Sequence, residues 1–318
     1  WQTSQGELSL VRCRGDRVIT CGNSPHVRVW ECENSGVGSA DSGRWQVVRE
    51  LNLDGPAHSL CVDADGREGV AATRRGSIWH LGGGAAPALK LIGGNASAVV
   101  HLEYNDSGDL IASGTTDGAV NVWAVRGMQH LRSFESTGAG CSCLAFAPST
   151  SGGGSRSISA AYTDGVIRGL DLSSAVNANT DAILVGDSAI TVMRYAQASD
   201  YLLCGAANGT VSLVCLSKKQ VRNVSAVVPC GAPVCSLCWH VDTPNTWLAS
   251  TADGCLHIFA IDVYSGKSEL ALKRNFWYSG ALLATFSPTE PNVIVLAGAA
   301  IGVGVHFFDF HVGQVSHA

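Results

Sequence analysis

Short apolar segments recur along this chain, and each carries a turn and ends in an aromatic or aliphatic residue. The clearest copies are residues 115–123, TTDGAVNVW, and residues 250–259, STADGCLHIF. A period of about 40–45 residues, with room for loop insertions, is typical of four-stranded propeller blades. Apolar residues at helical spacing, which a helical solenoid needs, do not accompany the repeat. Seven copies lie 44 to 49 residues apart and end at Trp30, Trp79, Trp123, Leu170, Val214, Phe259 and Phe308.

The third copy shows the strand pattern of one repeat most clearly. Residues 98–104 alternate as a half-buried strand, and two further strands are predicted at 110–114 and 119–123. A fourth segment, residues 129–134, is more polar. We expect it at the outer edge of the sheet, where charged side chains protect the exposed backbone groups.

Turn dipeptides ending in glycine recur between the second and third strands of the repeat. A two-residue hairpin turn needs positive φ, which Asn, Asp and Gly tolerate best. The aspartates are therefore predicted to shape the turns rather than to carry chemistry. The dipeptides are Arg75-Gly76, Asp117-Gly118, Asp164-Gly165, Asn208-Gly209 and Asp253-Gly254.

Together these patterns predict an all-β fold, a seven-bladed β-propeller with four-stranded antiparallel blades. Residues 1–318 are expected to form one domain, although an outer strand for the last blade can come only from residues 311–318 or from the first few residues. Residues 33–43 and 149–155 are rich in Gly, Ser or Asp and are interpreted as mobile loops. The predicted blades are 7–54, 55–95, 96–138, 139–186, 187–229, 230–275 and 276–318.

Composition and charge narrow the classes of partner. The chain has 318 residues, 46% hydrophobic and 15% charged, which suffices for a core without disulfide or metal support. Its formal net charge of −5 leaves no basic field for nucleic acid. No run reaches 18 apolar residues, so no membrane span is expected. The start, WQTSQ, is neither a signal peptide nor an initiator Met, so we expect a piece of a longer chain.

The reactive residue types favour a structural role. The 12 cysteines are interpreted as small core residues in a reducing, cytoplasmic compartment. Cys235 and Cys238 have the spacing of a redox or zinc pair, but alternation along a strand should separate them. Cys141 and Cys143 share a face but offer only two ligands, so no metal site and no cofactor are expected.

The histidines support the same prediction. His58, His101 and His257 lie in or beside predicted strands, where a satisfied core or channel-facing histidine is expected. No catalytic residue is therefore predicted, and the chain is expected not to be an enzyme.

The repeats resemble WD repeats, because Trp30, Trp79 and Trp123 stand where that family carries its tryptophan. The Asp that should follow is present only at Asp171 and Asp309, and the Gly-His opening is mostly lost. The resemblance implies a divergent propeller whose buried Asp-His-Ser-Trp network has decayed, so that each blade depends more on apolar packing.

Five segments carry a closer resemblance: EGVAATRRGSIW (68–79), IGGN (92–95), DGAVNVW (117–123), CSCLAFAP (141–148) and WLAS (247–250). They resemble the family of WD repeat-containing protein 90, also called proteome-of-centriole protein sixteen, a centriolar microtubule-wall protein. The resemblance implies a scaffold module of the wall of a centriole or basal body and transfers no catalytic or binding residue. Microtubule association in that family belongs to an N-terminal domain that precedes the propellers.

Three functional hypotheses follow. The leading one is a non-catalytic protein-interaction scaffold of a centriole, basal body or cilium, bound to other wall proteins and to tubulin at most indirectly. The alternative is a substrate-receptor or adaptor propeller of another cytoplasmic complex that grips a short peptide motif in its central channel. The third, a propeller enzyme, would need clustered histidines and carboxylates. Trp45, Trp277 and Tyr278 are the nearest anchor candidates for an interface, although each can equally serve packing.

Overall fold

The protein consists almost entirely of antiparallel strands. In the described part of the chain, seven four-stranded sheets follow one another, and a 3-10 helix lies at Ala299–Ile301. The computed structural model describes residues 8–14, 17–33, 44–62, 68–82, 89–92, 97–125, 129–135, 138–149, 156–173, 179–196, 200–224, 227, 231–240, 242–243, 245–276, 280–287, 292–301 and 305–317.

Each sheet takes four strands that are consecutive in the chain. The first three sheets contain β1 (Leu8–Arg14), β2 (Arg17–Gly22), β3 (His26–Glu33) and β4 (Arg44–Asn52); β5 (Ala57–Val62), β6 (Gly69–Thr73), β7 (Ile78–His80) and β8 (Leu89–Ile92); and β9 (Val99–Tyr104), β10 (Leu110–Thr115), β11 (Val120–Ala124) and β12 (Gln129–Phe134).

The remaining four sheets contain β13 (Cys141–Phe146), β14 (Ser157–Tyr162), β15 (Val166–Asp171) and β16 (Asn179–Leu184); β17 (Ile190–Tyr195), β18 (Tyr201–Ala206), β19 (Val211–Cys215) and β20 (Gln220–Asn223); β21 (Val234–Trp239), β22 (Thr246–Thr251), β23 (Cys255–Ile261) and β24 (Ser268–Asn275); and β25 (Leu283–Phe286), β26 (Val293–Ala297), β27 (Val305–Asp309) and β28 (Gln314–His317).

This strand order is that of a seven-bladed β-propeller, and the predicted fold class is confirmed. The more polar segment predicted as an outer strand forms β12, which pairs with β11 alone in its sheet and exposes most of its side chains. The fourth strand of the last sheet, β28, comes from residues 311–318, one of the two segments that were expected to supply it. The two predicted loops lie almost entirely outside the described residues, which omit 34–43 from the first loop and 150–155 from the second.

The chain divides into two compact units. One contains the described residues up to Ile158 together with 171–173, and the other contains 159–170 and the described residues from Asn179 onward. The closure of residues 1–318 as a single domain stays a prediction.

The turns between the second and third strands require glycine, because the backbone there adopts positive φ. All five predicted glycines have positive φ, for example 90° at Gly118 and 85° at Gly254. The aspartates beside them also act in the turns: Thr115 Oγ1 donates to Asp117, and Thr251 Oγ1 donates to Asp253. The structural role predicted for these two aspartates is confirmed.

In four of the seven described sheets, the residue that ends the repeat coincides with a β-bulge. In the first three sheets and the sixth, the pairing of the third and fourth strands shifts just before Trp30, Trp79, Trp123 or Phe259. A bulge inserts one unpaired residue and increases the local twist. The extra residue in the first and third sheets is Val48 or Leu131, and both side chains are exposed. The bulges therefore explain two exposed apolar residues on the outer strands.

Neighbouring sheets within each unit share apolar layers. One layer joins the fifth and sixth sheets and includes Leu203, Val234, Trp247 and Phe259. The contact is close, because a Cβ on Gly205 would come within 2.6 Å of a Val234 methyl group. The first strands are also joined by polar bonds, as where Ser59 Oγ accepts from the Leu102 amide at 2.9 Å.

A second type of bond joins neighbouring sheets at their fourth strands. An arginine near the end of the fourth strand donates to backbone carbonyls where the third strand of the next sheet ends. We name this arrangement the arginine clamp. Its bonds are Arg49 Nη1 to Gly82 O (3.1 Å), Arg132 Nη1 to Asp171 O and Leu172 O (3.3 and 3.2 Å), Arg222 Nη1 to Tyr264 O and Ser265 O (3.4 and 2.7 Å), and Arg274 Nη1 to Gly313 O (2.8 Å).

Each clamp arginine stands two residues before a buried apolar side chain. Leu51, Phe134, Val224 and Phe276 fill these positions. In two clamps the guanidinium also lies over the ring of that residue, at 5.2 Å for Arg132 over Phe134 and 5.5 Å for Arg274 over Phe276. In this Arg-x-apolar pattern, the apolar residue packs into the core and the arginine bonds to the next sheet.

Parts of the polar network that the WD resemblance implied to be lost are still present. The indole of Trp30 donates to Thr20 Oγ1 at 2.9 Å. In the second sheet Asp54 accepts from Thr73 Oγ1 (3.0 Å), Ser77 Oγ (2.6 Å) and Trp79 Nε1 (3.2 Å). The network is therefore reduced and rearranged rather than absent.

We expect Arg132→Met to lower the free energy of unfolding by about 1–2 kcal/mol, because the variant keeps an apolar stem but loses two charge-assisted bonds at a half-buried site. Urea unfolding followed by circular dichroism measures the change. Arg74→Met, at an exposed turn position, is the control and should change stability by less than about 0.5 kcal/mol. Equal midpoints for the two variants would show that the clamp does not stabilise the fold.

We expect Asp54→Ala to cost about 2–4 kcal/mol, because the buried hydroxyls of Thr73 and Ser77 lose this acceptor. The fluorescence of Trp79 should also change in the folded state. Asp187→Ala removes an exposed carboxylate between β16 and β17 and serves as the control. A loss no greater than that of the control would contradict the structural role of Asp54.

Candidate protein-binding surface

The aromatic anchors proposed from the sequence are not tested by the structure. Trp45 lies on β4, where its backbone pairs with Cys32, but its side chain is outside the described part. Trp277 and Tyr278 are also outside the described residues. Their role in binding stays a prediction.

The two cysteine pairs differ in burial, because the second pair is only partly buried. The Cys141 and Cys143 side chains are buried, and Cys141 Sγ would lie 2.4 Å from a Cβ on Gly114, so it fills the space that this glycine leaves. Cys235 is the extra residue of a bulge in β21, so simple alternation does not describe the pair that it forms with Cys238. Their surroundings nevertheless differ: Cys235 Sγ donates to Pro233 O at 3.7 Å, whereas burial raises the pKa of the Cys238 thiol.

The three histidines have different surroundings. His101 Nδ1 accepts from the Leu144 amide at 3.3 Å, a bond between neighbouring first strands. His58 is exposed on β5. His257 is 1% exposed on β23, and burial, with a smaller effect from Lys273, lowers its pKa. These residues do not form one cluster with carboxylates: within the described residues, no three His, Cys, Asp or Glu side chains are grouped as a metal site would require.

Among the described residues, no helix combines the length and the apolar character that crossing a membrane requires.

A groove between the fifth and sixth sheets combines aromatic and basic side chains. We name it the Tyr264 groove. Tyr264 is 73% exposed and meets the ring of Tyr201 edge-on, with 5.9 Å between the ring centroids. The groove is lined by Tyr201, Leu213, Cys215, Lys218, Gln220, Arg222, Val263 and Tyr264.

The turn between β23 and β24 presents Tyr264. Asp262 accepts from the Tyr264 amide (3.0 Å) and from Ser265 Oγ (2.6 Å), and its backbone carbonyl accepts from the Gly266 amide (2.7 Å). Gly266 has φ of 72°. The hydrogen bond from Ser265, helped by the Tyr264 amide, lowers the pKa of Asp262, so the carboxylate is ionised and committed to its own turn.

The turn between β19 and β20 forms the opposite wall. Asp200 accepts from the Ser217 amide (2.9 Å), Ser217 Oγ (2.6 Å) and Cys215 Sγ (3.3 Å). Burial opposes the ionisation of Asp200, but these bonds outweigh it and lower its pKa. Lys219 closes the turn with φ of 50°, a conformation that no other described residue except glycine adopts. Lys218 and Lys219 are both exposed.

Arg222 connects the two walls through its clamp. Its guanidinium donates to Ser265 O at 2.7 Å and to Tyr264 O at 3.4 Å, and its stem lies against Gly266, where a Cβ would be 2.7 Å from Arg222 Cδ. These acceptors are neutral carbonyls, so the bonds do not neutralise the positive charge. Residues 200–222 and 262–267 together contain four basic residues and two acidic ones: Lys218, Lys219, Arg222 and Lys267, against Asp200 and Asp262.

Sequence reasoning missed this groove. Lys218-Lys219 was noticeable as a basic pair, and Tyr264 stands between two strands in a turn sequence, VYSGK. Their proximity depends on the packing of two sheets, which the strand pattern alone does not specify. Two signals were available in the sequence: the aromatic residue Tyr264 within a turn, and the Arg-x-apolar pattern of Arg222 and Val224 at the end of the preceding outer strand.

The sheets, turns and tryptophans define the chain as a WD-repeat β-propeller. Solved structures agree on this fold. The WD40 β-propeller domain of Doa1 superposes with a TM-score of 0.70 at 15% identity, covering 94% of this chain and 92% of that chain. The structure of U3-55K gives a TM-score of 0.74 at 13% identity, covering 93% and 90%.

Sequence comparison gives the family. Residues 98–317 match the family described as WDR90, 4th beta-propeller, which is more than half of the chain. The chain belongs to the WDR90 family, and the resemblance found in its repeats is confirmed.

Curated relatives extend the match to 99% of the chain. WD repeat-containing protein 90 of Xenopus tropicalis is 25% identical over 342 residues, and that of Mus musculus is 26% identical over 340 residues. The chain spans only 18% of the length of each of these relatives. They support a protein-interaction propeller module.

The buried His257 predicts a pH dependence of stability. Its pKa is lowered in the folded state, so below about pH 6.5 the unfolded chain binds a proton that the folded chain does not. Stability should therefore fall as pH falls below that value, by up to about 1.4 kcal/mol per pH unit from this group. We expect His257→Gln to lose less stability than the parent between pH 7.5 and about pH 5.5.

Urea unfolding at the two pH values measures this difference, and His130→Gln on the exposed strand β12 is the control. A parent-like pH dependence in His257→Gln would contradict the assignment.

Proposed function

We propose that this chain is a non-catalytic scaffold propeller of a centriole, basal-body or ciliary microtubule-associated protein. Its partners are other wall components, and it reaches tubulin through them. It acts in the cytoplasm as part of the cytoskeleton. The observation that carries the proposal is the match of residues 98–317 to the fourth propeller of the WDR90 family.

The physical features of the chain support a binding module. Sheets packed by apolar layers and clamped at their edges form a stiff support, and interfaces take their energy from a few aromatic or arginine anchors on such supports. The described turns carry an exposed tyrosine beside basic residues, whereas Cys141 and Cys143 are buried in the core. The proposal therefore assigns specificity to the turns and rigidity to the sheets.

Localisation tests the cellular part of the proposal. The chain fused to a fluorescent protein should concentrate at centrioles or basal bodies in ciliated cells. The WD40 propeller domain of Doa1, which shares the fold at 15% identity, is the matched control and should not concentrate there. A distribution like that of the control would support the adaptor of another cytoplasmic complex instead.

Cosedimentation tests how the chain reaches the microtubule. We expect little binding of the purified chain to microtubules at physiological salt, because a chain of net charge −5 gains little from an acidic lattice. Measurements at low and physiological salt give the comparison. Saturable, salt-resistant binding would contradict recruitment through other wall proteins and show direct lattice contact.

A further inference from the structure

We propose that the Tyr264 groove binds an acidic peptide segment of a partner protein, one that carries an apolar or aromatic side chain to pack on Tyr264. This inference rests on the proposed role as an interaction module and adds the site and the chemistry of the partner. It depends on three features of the groove: an exposed aromatic ring, an excess of positive charge, and a rigid backbone.

The exposed ring supplies the apolar contact. Tyr264 is the most exposed large apolar or aromatic residue in the described part of the chain, and Tyr201 supports it from one side. A tyrosine on a fixed support gives contact area at low entropy cost and is enriched among the residues that dominate interfaces. The partner therefore needs one apolar or aromatic residue opposite Tyr264.

The charge of the groove determines the sign of the partner. The segments 200–222 and 262–267 contain four basic residues and two acidic ones, although the whole chain has a net charge of −5. Both carboxylates accept hydrogen bonds from serine hydroxyls of the two turns, Asp200 from Ser217 and Asp262 from Ser265. Lys218 and Arg222 line the groove and attract acidic side chains.

The groove suits a peptide better than a nucleic acid. Double-stranded and single-stranded nucleic acids gain affinity from a long basic surface or from several stacking rings. The groove offers only one strongly exposed ring, that of Tyr264. A peptide of a few residues can satisfy one ring and two cations. The clamp of Arg222 holds both walls in place before binding, which lowers the entropy cost of ordering them.

Peptide selection tests the proposal without a known partner. A phage library of random twelve-residue peptides is selected on the folded 318-residue chain. We expect enriched peptides to combine several Asp or Glu residues with an aromatic or aliphatic residue. Their affinity is then measured by fluorescence anisotropy with synthetic peptides, beside a peptide of twelve glutamates that lacks an apolar residue.

Substitutions in the groove locate the binding. Tyr264→Ala and Lys218→Glu should each weaken the selected peptides at least about 5-fold, because each removes an exposed anchor or reverses its charge. Leu184→Ala and Lys273→Glu make matched changes at exposed positions on β16 and β24 and should change affinity less than about 2-fold. Arg222 is left unchanged, because it also holds the two sheets together.

Three results of the peptide experiments would contradict the proposed binding site. Enriched peptides without acidic residues, no enrichment at all, or equal binding to Tyr264→Ala and to the parent would overturn the site. Equal affinity for the glutamate peptide would overturn the role of Tyr264. Failure of this experiment leaves centriolar localisation intact, and failure of localisation leaves a measured peptide site intact, so the two proposals fail separately.

Discussion

In four of the seven described sheets an arginine attaches the fourth strand to the next sheet, and this contact secures the strand that has the fewest partners. A four-stranded sheet stacked against its neighbours buries its faces, but its outer strand has a partner strand on one side only. The arginine clamp gives this strand a second attachment. The guanidinium of Arg132 or Arg274 bonds to the following sheet, and the apolar residue two positions later packs into the core. The outer strand is thereby held to two sheets at once.

The repeat could be predicted from the sequence because short-range chemistry determines it. The Asp-Gly turns require positive φ, and an aromatic residue follows each of these two turns near the end of the third strand, so residues 115–123 and 250–259 reveal both strands and their register. The bulge beside Trp123 could not be predicted in the same way. The bulge depends on how the fourth strand pairs with the third, and the sequence around Leu131 does not indicate that this residue is the extra one.

The candidate surface was beyond sequence reasoning for a related reason. Tyr201 and Tyr264 are far apart in the chain and belong to different sheets, so their contact follows from sheet packing. The anchors that the sequence did suggest were chosen by residue type alone. Trp45 illustrates the difficulty, since a tryptophan after a loop can serve packing or binding, and its type does not decide between them.

Stability and recognition use the same residue at this groove. Arg222 forms its clamp with the carbonyls of Tyr264 and Ser265, so the bond that joins the fifth and sixth sheets also fixes the turn that exposes the tyrosine. The other clamps hold equivalent turns whose carbonyls belong to different residues, such as Leu172 or Gly313. Backbone carbonyls accept the clamp whatever side chain they carry. The turn sequences of a propeller can therefore diverge to suit different partners while the arginine keeps each turn in position.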